Sequence, residues 1–561
     1  MIPVVAHTRE FDRVVALPRR AVDADLARRW AAALTPIFAL HDGVHLRPWQ
    51  ALALAEAVEV GGAWLALPVG LGKTLISWLL PTAMQSERTL IIVPGSLVTK
   101  TESDFGEYVR DWRSPPGAQQ TRTREILSTS RGDSILNGFA PDLIIIDESD
   151  KLSNPRAGAP RKLDRYIREH NPRVVAMTGT PARNSIMGYW HLLAWTLGDG
   201  APMPLVPEEA LMWSLAIDPA KRGQRADPGP LGATQASAAR WFRKRLSETP
   251  GVLIVDEDSC DAPLTIRTRL AREDSALDTA FARFLLEQET PGGMPVSDPL
   301  SRWLLDGQLG LGLYSVWDPP PPEDWRSARR AVSRFVRERI DASTHTRRPL
   351  DTEAQVLRRY AHLPVVQDWL AIKPTFDGTT MPVWISDSAI ESCVDWLHEL
   401  DGEPGIVWCG SIPFGHRLAE RTGLPYYGQR GKTQCGSCSL CEAPEGGSLI
   451  ASWKANMTGF NLQAWPRQLV TMPPQSAKFL EQIMGRSHRS GQERPVIVDI
   501  LATSGGTLDA FESTIGEAQR VRDTEGLTQK ILRADIVRAQ PTVTDSNEFR
   551  WARKGAPDED A

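Results

Sequence analysis

Three short stretches of the chain carry residue types that handle phosphate. "LPVGLGKTLISWLL" sets Gly70, Gly72, Lys73 and Thr74 directly before an apolar, helix-like run. Glycines let backbone amides close around phosphate oxygens, a lysine reaches the outer phosphates, and a threonine hydroxyl at a helix start can ligate magnesium. "DLIIIDESDKL" ends an apolar run on Asp147 and Glu148. Paired acids at the end of a parallel strand divide the work: Asp147 holds the metal, and Glu148 orients and deprotonates an attacking water. "EQIMGRSHRSGQ" spaces Gln482, Arg486 and Arg489 as Gln-x-x-x-Arg-x-x-Arg. Two arginines three apart share a helix face, and their planar forks match phosphate oxygens.

These residues need rigid elements behind them. Short Ile- and Val-rich runs recur, "TLIIVPGS", "DLIIIDES" and "RVVAMTGT" early, and "GIVWCGS", "SLIASW", "QLVTMPP" and "VIVDIL" late. Such runs, separated by helical patterns, read as buried parallel strands. They predict an α/β fold of two parallel-sheet units. Between them, Trp, Leu and Arg recur at helical spacing and are broken by "RADPGPLGA", "TPGGMPVSDP" and "WDPPPPEDW". The expected organisation is an N-terminal extension over 1–40, a first lobe over 41–200, helical insertions and a connector over 201–385, a second lobe over 386–535, and a polar, disordered tail over 536–561. No internal sequence repeat is evident.

The chain has 561 residues, 42% of them hydrophobic, with a formal net charge of -5. That composition excludes a disordered chain and a strongly basic coating protein, though not a local basic groove. The start "MIPVVAHTREFDRVV" lacks the basic head and unbroken apolar core of a signal peptide, and no run suits a membrane span, so the cytoplasm is expected. Six cysteines in this length do not make a disulfide framework. Three of them, Cys435, Cys438 and Cys441, sit as "CGSCSLC" in a loop over 431–446 and read either as unligated loop thiols or as a zinc chelate, with Cys409 or His416 the nearest fourth ligand in sequence.

The ordered set "LRPWQ", "VGLGKT", "LIIVPGSL", "DESDKL", "MTGTPARN", "SWKANMTGFNLQ" and "EQIMGRSHRSGQ" resembles the Swi/Snf-like branch of the superfamily 2 helicase-type ATPases over roughly residues 45–530. The compact size and the "TGFNLQ" form are similar to bacterial and phage members, which implies a bacterial or phage-infected cell. The resemblance implies two RecA-like lobes with a P-loop in the first, ATP and magnesium as ligands, and DNA as a partner gripped by its backbone. Gln50 would recognise adenine, with Arg47 beside it. Thr178 and Thr180 would couple the ATP site to the nucleic acid, Gly459 and Asn461 would line the cleft from the second lobe, and Gln482, Arg486 and Arg489 would face the γ-phosphate. Pro94, Gly95 and Ser96 would lie near the strand, and Lys454 is a candidate phosphate contact. The chain departs from the pattern at Leu67 and Pro68 and at Asn456 and Met457, which bears on coupling rather than on hydrolysis.

The expected act is ATP-driven movement on double-stranded DNA that remodels or displaces bound protein. Rivals are a strand-separating DNA or RNA helicase, a silent DNA-binding scaffold, and a motor that powers an effector on another chain. The basic helix around Arg329, Arg330, Arg334 and Arg337 reads as a solvated face before it reads as a DNA contact.

Overall fold

The computed structural model describes residues 2–180, 185–218, 225–258, 260–343, 350, 352–433, 436, 439–457 and 459–553. In the first lobe, strands β1 (Ala63–Ala66), β2 (Arg88–Val93), β3 (Ala118–Thr123), β4 (Leu143–Ile146), β5 (Arg173–Thr178) and β6 (Val252–Ile254) form one sheet in the order β3-β2-β4-β5-β1-β6. All pairings are parallel. Helices cover both faces, so β4 reads as an unbroken apolar run, Leu143–Ile146, with every residue buried. One strand, β5, separates β1 from β4, and both deliver their C-terminal ends, the glycine loop and the acidic pair, to the same sheet edge.

The second sheet draws on β7 (Leu264–Leu270), then, beyond an antiparallel ribbon of β8 (Leu313–Asp318) and β9 (Thr379–Trp384), on β10 (Gly405–Cys409), β11 (Tyr426–Tyr427), β12 (Leu449–Ser452), β13 (Arg467–Val470), β14 (Val496–Ala502) and β15 (Asp535–Val537). Its order is β11-β12-β10-β13-β14-β7-β15, again all parallel. The expected α/β class with two parallel-sheet lobes is what the chain forms.

The boundaries differ from the sequence reading in three places. Strands β6 and β7 lie within the stretch assigned to the connector, yet they belong to the first and second sheets. The reason for β7 is a cross-strand pair: Arg267 grips buried Asp499 of β14 through bonds of 2.8 and 2.9 Å. The N-terminal segment is part of the first lobe, where Val5, Phe11 and Val14 share a core with Trp213 and Phe242. The tail is ordered to residue 553: β15 pairs with β7, and Trp551 packs beside Leu508.

The insertion between β7 and β10 has a core of its own, built on Trp325, Val332, Val336, Ile340 and Trp369. Trp325 of "WDPPPPEDW" is 6% exposed and meets Trp317, Trp369 and Phe376 edge-on. On the helix Glu323–Ser343, Arg329 bonds both Glu353 oxygens at 2.8 Å and lies 5.3 Å from the Trp369 ring. Arg330 reaches Glu323 and Arg337 reaches Gln288, while Arg334 is exposed. This face therefore serves mainly to close the insertion on itself.

Candidate nucleotide and nucleic-acid site between the lobes

The loop after β1 turns on Gly70 (φ 98°) and Gly72 (φ 78°), backbone that favours glycine, and releases the helix Lys73–Ala83 with Lys73 and Thr74 in its first turn. Leu75, Ile76, Leu79 and Leu80 anchor that helix in the core. Lys73 Nζ donates to Leu67 O at 3.0 Å and Pro68 O at 3.4 Å, so the two departures from the family pattern contribute carbonyls to the loop. Gln50 braces the loop from behind: its Oε1 accepts from Arg47 N and its Nε2 donates to Leu71 O, both at 3.0 Å. A Cβ at position 72 would sit 2.3 Å from Gln50 Nε2. The amide expected to read adenine is thus engaged with the loop itself.

Asp147 caps β4, and Glu148 follows with φ 49°, an uncommon conformation for a non-glycine residue. Burial and then the charge of Glu148 push the Asp147 carboxyl up to about 6, against the lowering effect of Lys73. Glu148 Oε2 is buried and has no hydrogen-bond partner among the described residues. A carboxylate pair held this way beside a glycine-rich loop fits a magnesium-bound polyphosphate, whose metal Thr74 and Asp147 could hold. Thr178, at the end of β5, donates to Asp150 Oδ1 at 3.1 Å and accepts from Thr180 N at 3.0 Å.

The second lobe presents its arginines to this edge. Gln482 lies on the helix Ala477–Met484, 1% exposed, with Oε1 buried and unpartnered among the described residues. Arg486 follows the helix and donates to Gln482 O at 3.0 Å and Phe460 O at 3.1 Å. Burial, then repulsion by Arg489, pushes its guanidinium down to about 10, while Glu148 opposes the shift. Arg489 is lowered by burial and by Arg47, with Asp104 and Tyr108 opposing, so charged groups of the first lobe act on it. Arg47 spans the lobes, donating to Gly70 O and to Ser490 Oγ, each at 3.0 Å. Gly485 packs so closely that a Cβ would lie 3.0 Å from Val69 of the loop. Gly459 (φ 93°) approaches Leu97 of the first lobe, where a Cβ would stand 2.4 Å away, and Asn461 is exposed just beyond it.

On the other side of the cleft a groove of about 530 Å³ is lined by Pro94, Gly95, Arg124 and Lys151 from the first lobe and by Gln429, Lys454 and Met457 from the second. It runs through Gln429, Lys454 and Ala455 into a cleft of about 860 Å³ bounded by Leu304, Ile412, His416 and Tyr426. Two widely separated sequence candidates, "VPG" and Lys454, thus share one groove; the Ser96 side chain lies outside the described residues. Asn456 is buried, its Nδ2 donating to Tyr427 O, Gly428 O and Ser452 O at 2.9–3.0 Å, so the residue that departs from the pattern ties this wall together.

Cys435 and Cys438 lie outside the described residues, as does the Cys441 side chain. Cys409 is buried in the second lobe with its thiol pushed up to about 12 by burial, the opposite of what a thiolate ligand needs. His416 stacks edge-on against Tyr426, and no cluster of metal-ligating side chains occurs among the described residues. Sequence reading missed Lys478, Asp150 and Gly485. A lysine on the apolar face of "AKFLEQIM" was the available signal for Lys478.

No protein-family model matches the chain. Over 506 residues it is 22% identical to the uncharacterised ATP-dependent helicase YqhH of Bacillus subtilis (strain 168), covering 84% of this chain and 79% of that protein. Among solved structures, the helicase domain of Hef from Pyrococcus furiosus aligns over 81% of this chain and 94% of its own, at 13% identity and a TM-score of 0.39. The chain is therefore similar, distantly, to an ATP-dependent helicase.

Proposed function

We propose that the chain is a nucleic-acid-stimulated ATPase of Swi/Snf-like type that moves along double-stranded DNA and displaces bound protein. One observation carries the reading: the glycine loop, the acidic turn and the turn with Arg486 that follows the helix Ala477–Met484 meet across a single cleft, and the groove lined by Pro94, Gly95 and Lys454 spans the same two lobes. A site and a track built from the same pair of lobes must change together.

In this reading Lys73 and the loop amides hold the phosphates of ATP. Thr74 and Asp147 would hold magnesium, which would supply charge neutralisation there. Glu148 takes a proton from water as the water oxygen bonds to the γ-phosphorus, and the bond to the bridging oxygen breaks to release ADP and phosphate. Arg486 and Arg489 offset the charge that develops, an arrangement worth about 10³-fold where an arginine finger has been measured. Thr178 and Thr180 relay closure to the groove, and Gln50 and Arg47 hold the loop in register. Backbone contacts make binding indifferent to sequence and sensitive to salt.

The decisive experiment pairs two assays with ATP: release of a triplex-forming strand from duplex DNA, and separation of a partial duplex. The reading expects triplex release without strand separation. Strand separation as the main outcome would assign a helicase, and neither activity beside undiminished DNA binding would assign a scaffold.

A further inference from the structure

The residues assigned to phosphate chemistry leave a buried cation beside the acidic turn unused. Lys478 lies one helical turn before Gln482 on the helix Ala477–Met484 and is 4% exposed. Its ammonium pairs with Asp150, a carboxylate of the first lobe that is as deeply buried. Asp150 also accepts from Thr178, which accepts from Thr180 N. An unbroken line of polar contacts therefore runs from the second lobe, through the turn that carries Glu148, to the end of β5.

Charge explains why this pair differs from a surface bridge. Asp147, Glu148 and Asp150 crowd three acids onto one turn of the first lobe. Glu148 also acts on Lys478, while Arg124 and Glu517 are the further charged groups that face it. Deleting the ammonium would leave Asp150 a buried, unpaired charge whenever the lobes are together, which is strongly unfavourable. The ring of Phe479, the next residue, stands 5.6 Å from Lys151 Nζ, so the contact is broader than one bond. Residues i and i+4 share a helix face, and Arg486 Nε is bonded to Gln482 O. Where Lys478 docks therefore fixes where Gln482 and Arg486 point.

We propose that Lys478 and Asp150 form a closure latch, with Lys478 a positioning residue that seats the second-lobe helix on the acidic turn and so brings Gln482 and Arg486 to Glu148. The proposal rests on the ATPase reading for its kinetics, although the latch itself is a contact between lobes.

The test compares ATP turnover and amide exchange in the full chain for wild type, Lys478→Met, Lys478→Arg, Asp150→Asn and the Lys478→Met/Asp150→Asn double variant, with a thermal melt to establish folding. Lys478→Met is expected to lower kcat about tenfold or more with KM for ATP changed less than about threefold, and the double variant to be no slower than Lys478→Met alone. Lys478→Arg is expected to recover most of the rate. Amide exchange over residues 147–153 and 476–484 is expected to quicken in Lys478→Met without nucleotide. Losses that multiply in the double variant, or a folded Lys478→Met with wild-type kcat and exchange, would overturn the latch. If wild type turns over no ATP, the ATPase reading fails, and exchange alone decides the latch: faster in both segments supports it, unchanged overturns it.

Discussion

His191 shows how single residues hold the acidic turn in place. Its Nε2 meets Leu152 O at 2.9 Å, and its Nδ1 is buried without a partner among the described residues. Burial pushes the imidazole down to about 4, with the Leu152 bond opposing. The folded chain thus binds this proton less readily than the unfolded chain, whose histidine titrates near 6.5. Stability is complete above about 6.5 and is lost as pH falls toward 4. Between pH 7 and 5 the loss is about 2 kcal/mol, which a denaturant titration reads directly. His191→Gln keeps a donor for Leu152 O and is expected to flatten that slope. At this scale the sequence was informative wherever chemistry is local. Whereas Arg486 and Arg489, spaced for one helix face, lie beyond the helix end at Met484, the glycine turn at Gly70 and Gly72 before a helix, and Asp147 and Glu148 at the end of β4, each declare themselves within a few residues, because such a turn or strand end is a short backbone device. Lys478 and Asp150 did not, since nothing near either one names a partner in the other lobe. Gln50 was legible as a motif residue, but its bonds to Arg47 N and Leu71 O depend on how its helix meets the loop.

At the scale of elements, the insertion helix Glu323–Ser343 separates two uses of arginine. Arg329 is largely enclosed between Glu353 and Trp369, whereas Arg334 is exposed. Arg329→Ala is expected to cost about 2 kcal/mol of stability, measured by chemical denaturation, because it strands Glu353 and uncovers the ring. Arg334→Ala is expected to cost less than about 0.5 kcal/mol. Neither change is expected to alter nucleic-acid affinity by more than about twofold, since neither residue lines the groove. Strands β2, β4, β5, β10, β12, β13 and β14 were visible as buried Ile and Val runs. β6 and β7 were not: β6 spans only Val252–Ile254, and "LTIRTRL" of β7 alternates apolar residues with Thr and Arg in a sheet whose other strands run nearly unbroken. Arg267 makes that pattern tolerable by pairing with Asp499. The ordered tail was missed for a related reason, because a three-residue strand and a single turn ending in Trp551 leave no periodic trace in a polar segment.

Across the whole molecule, a net charge of -5 coexists with a groove that gathers Arg124, Lys151 and Lys454 around one acid, Glu125. Charge segregation of this kind is what a backbone-binding surface needs, and a total cannot reveal it. No helix among the described residues is long and apolar enough to cross a membrane. The lobes are joined at several independent points: Arg47 to Ser490, Lys478 to Asp150, Gly485 against Val69, and Gly459 against Leu97. A catalytic cleft assembled from two lobes should fail when either half is disarmed. The most direct test is steady-state ATP hydrolysis by the full chain, alone and with duplex DNA, single-stranded DNA or RNA, beside Lys73→Ala and Arg489→Ala. The account predicts hydrolysis stimulated most by duplex DNA and reduced at least about 10²-fold in both variants, with each variant folded. Hydrolysis that persists in Arg489→Ala, or no hydrolysis by wild type under any condition, would contradict it.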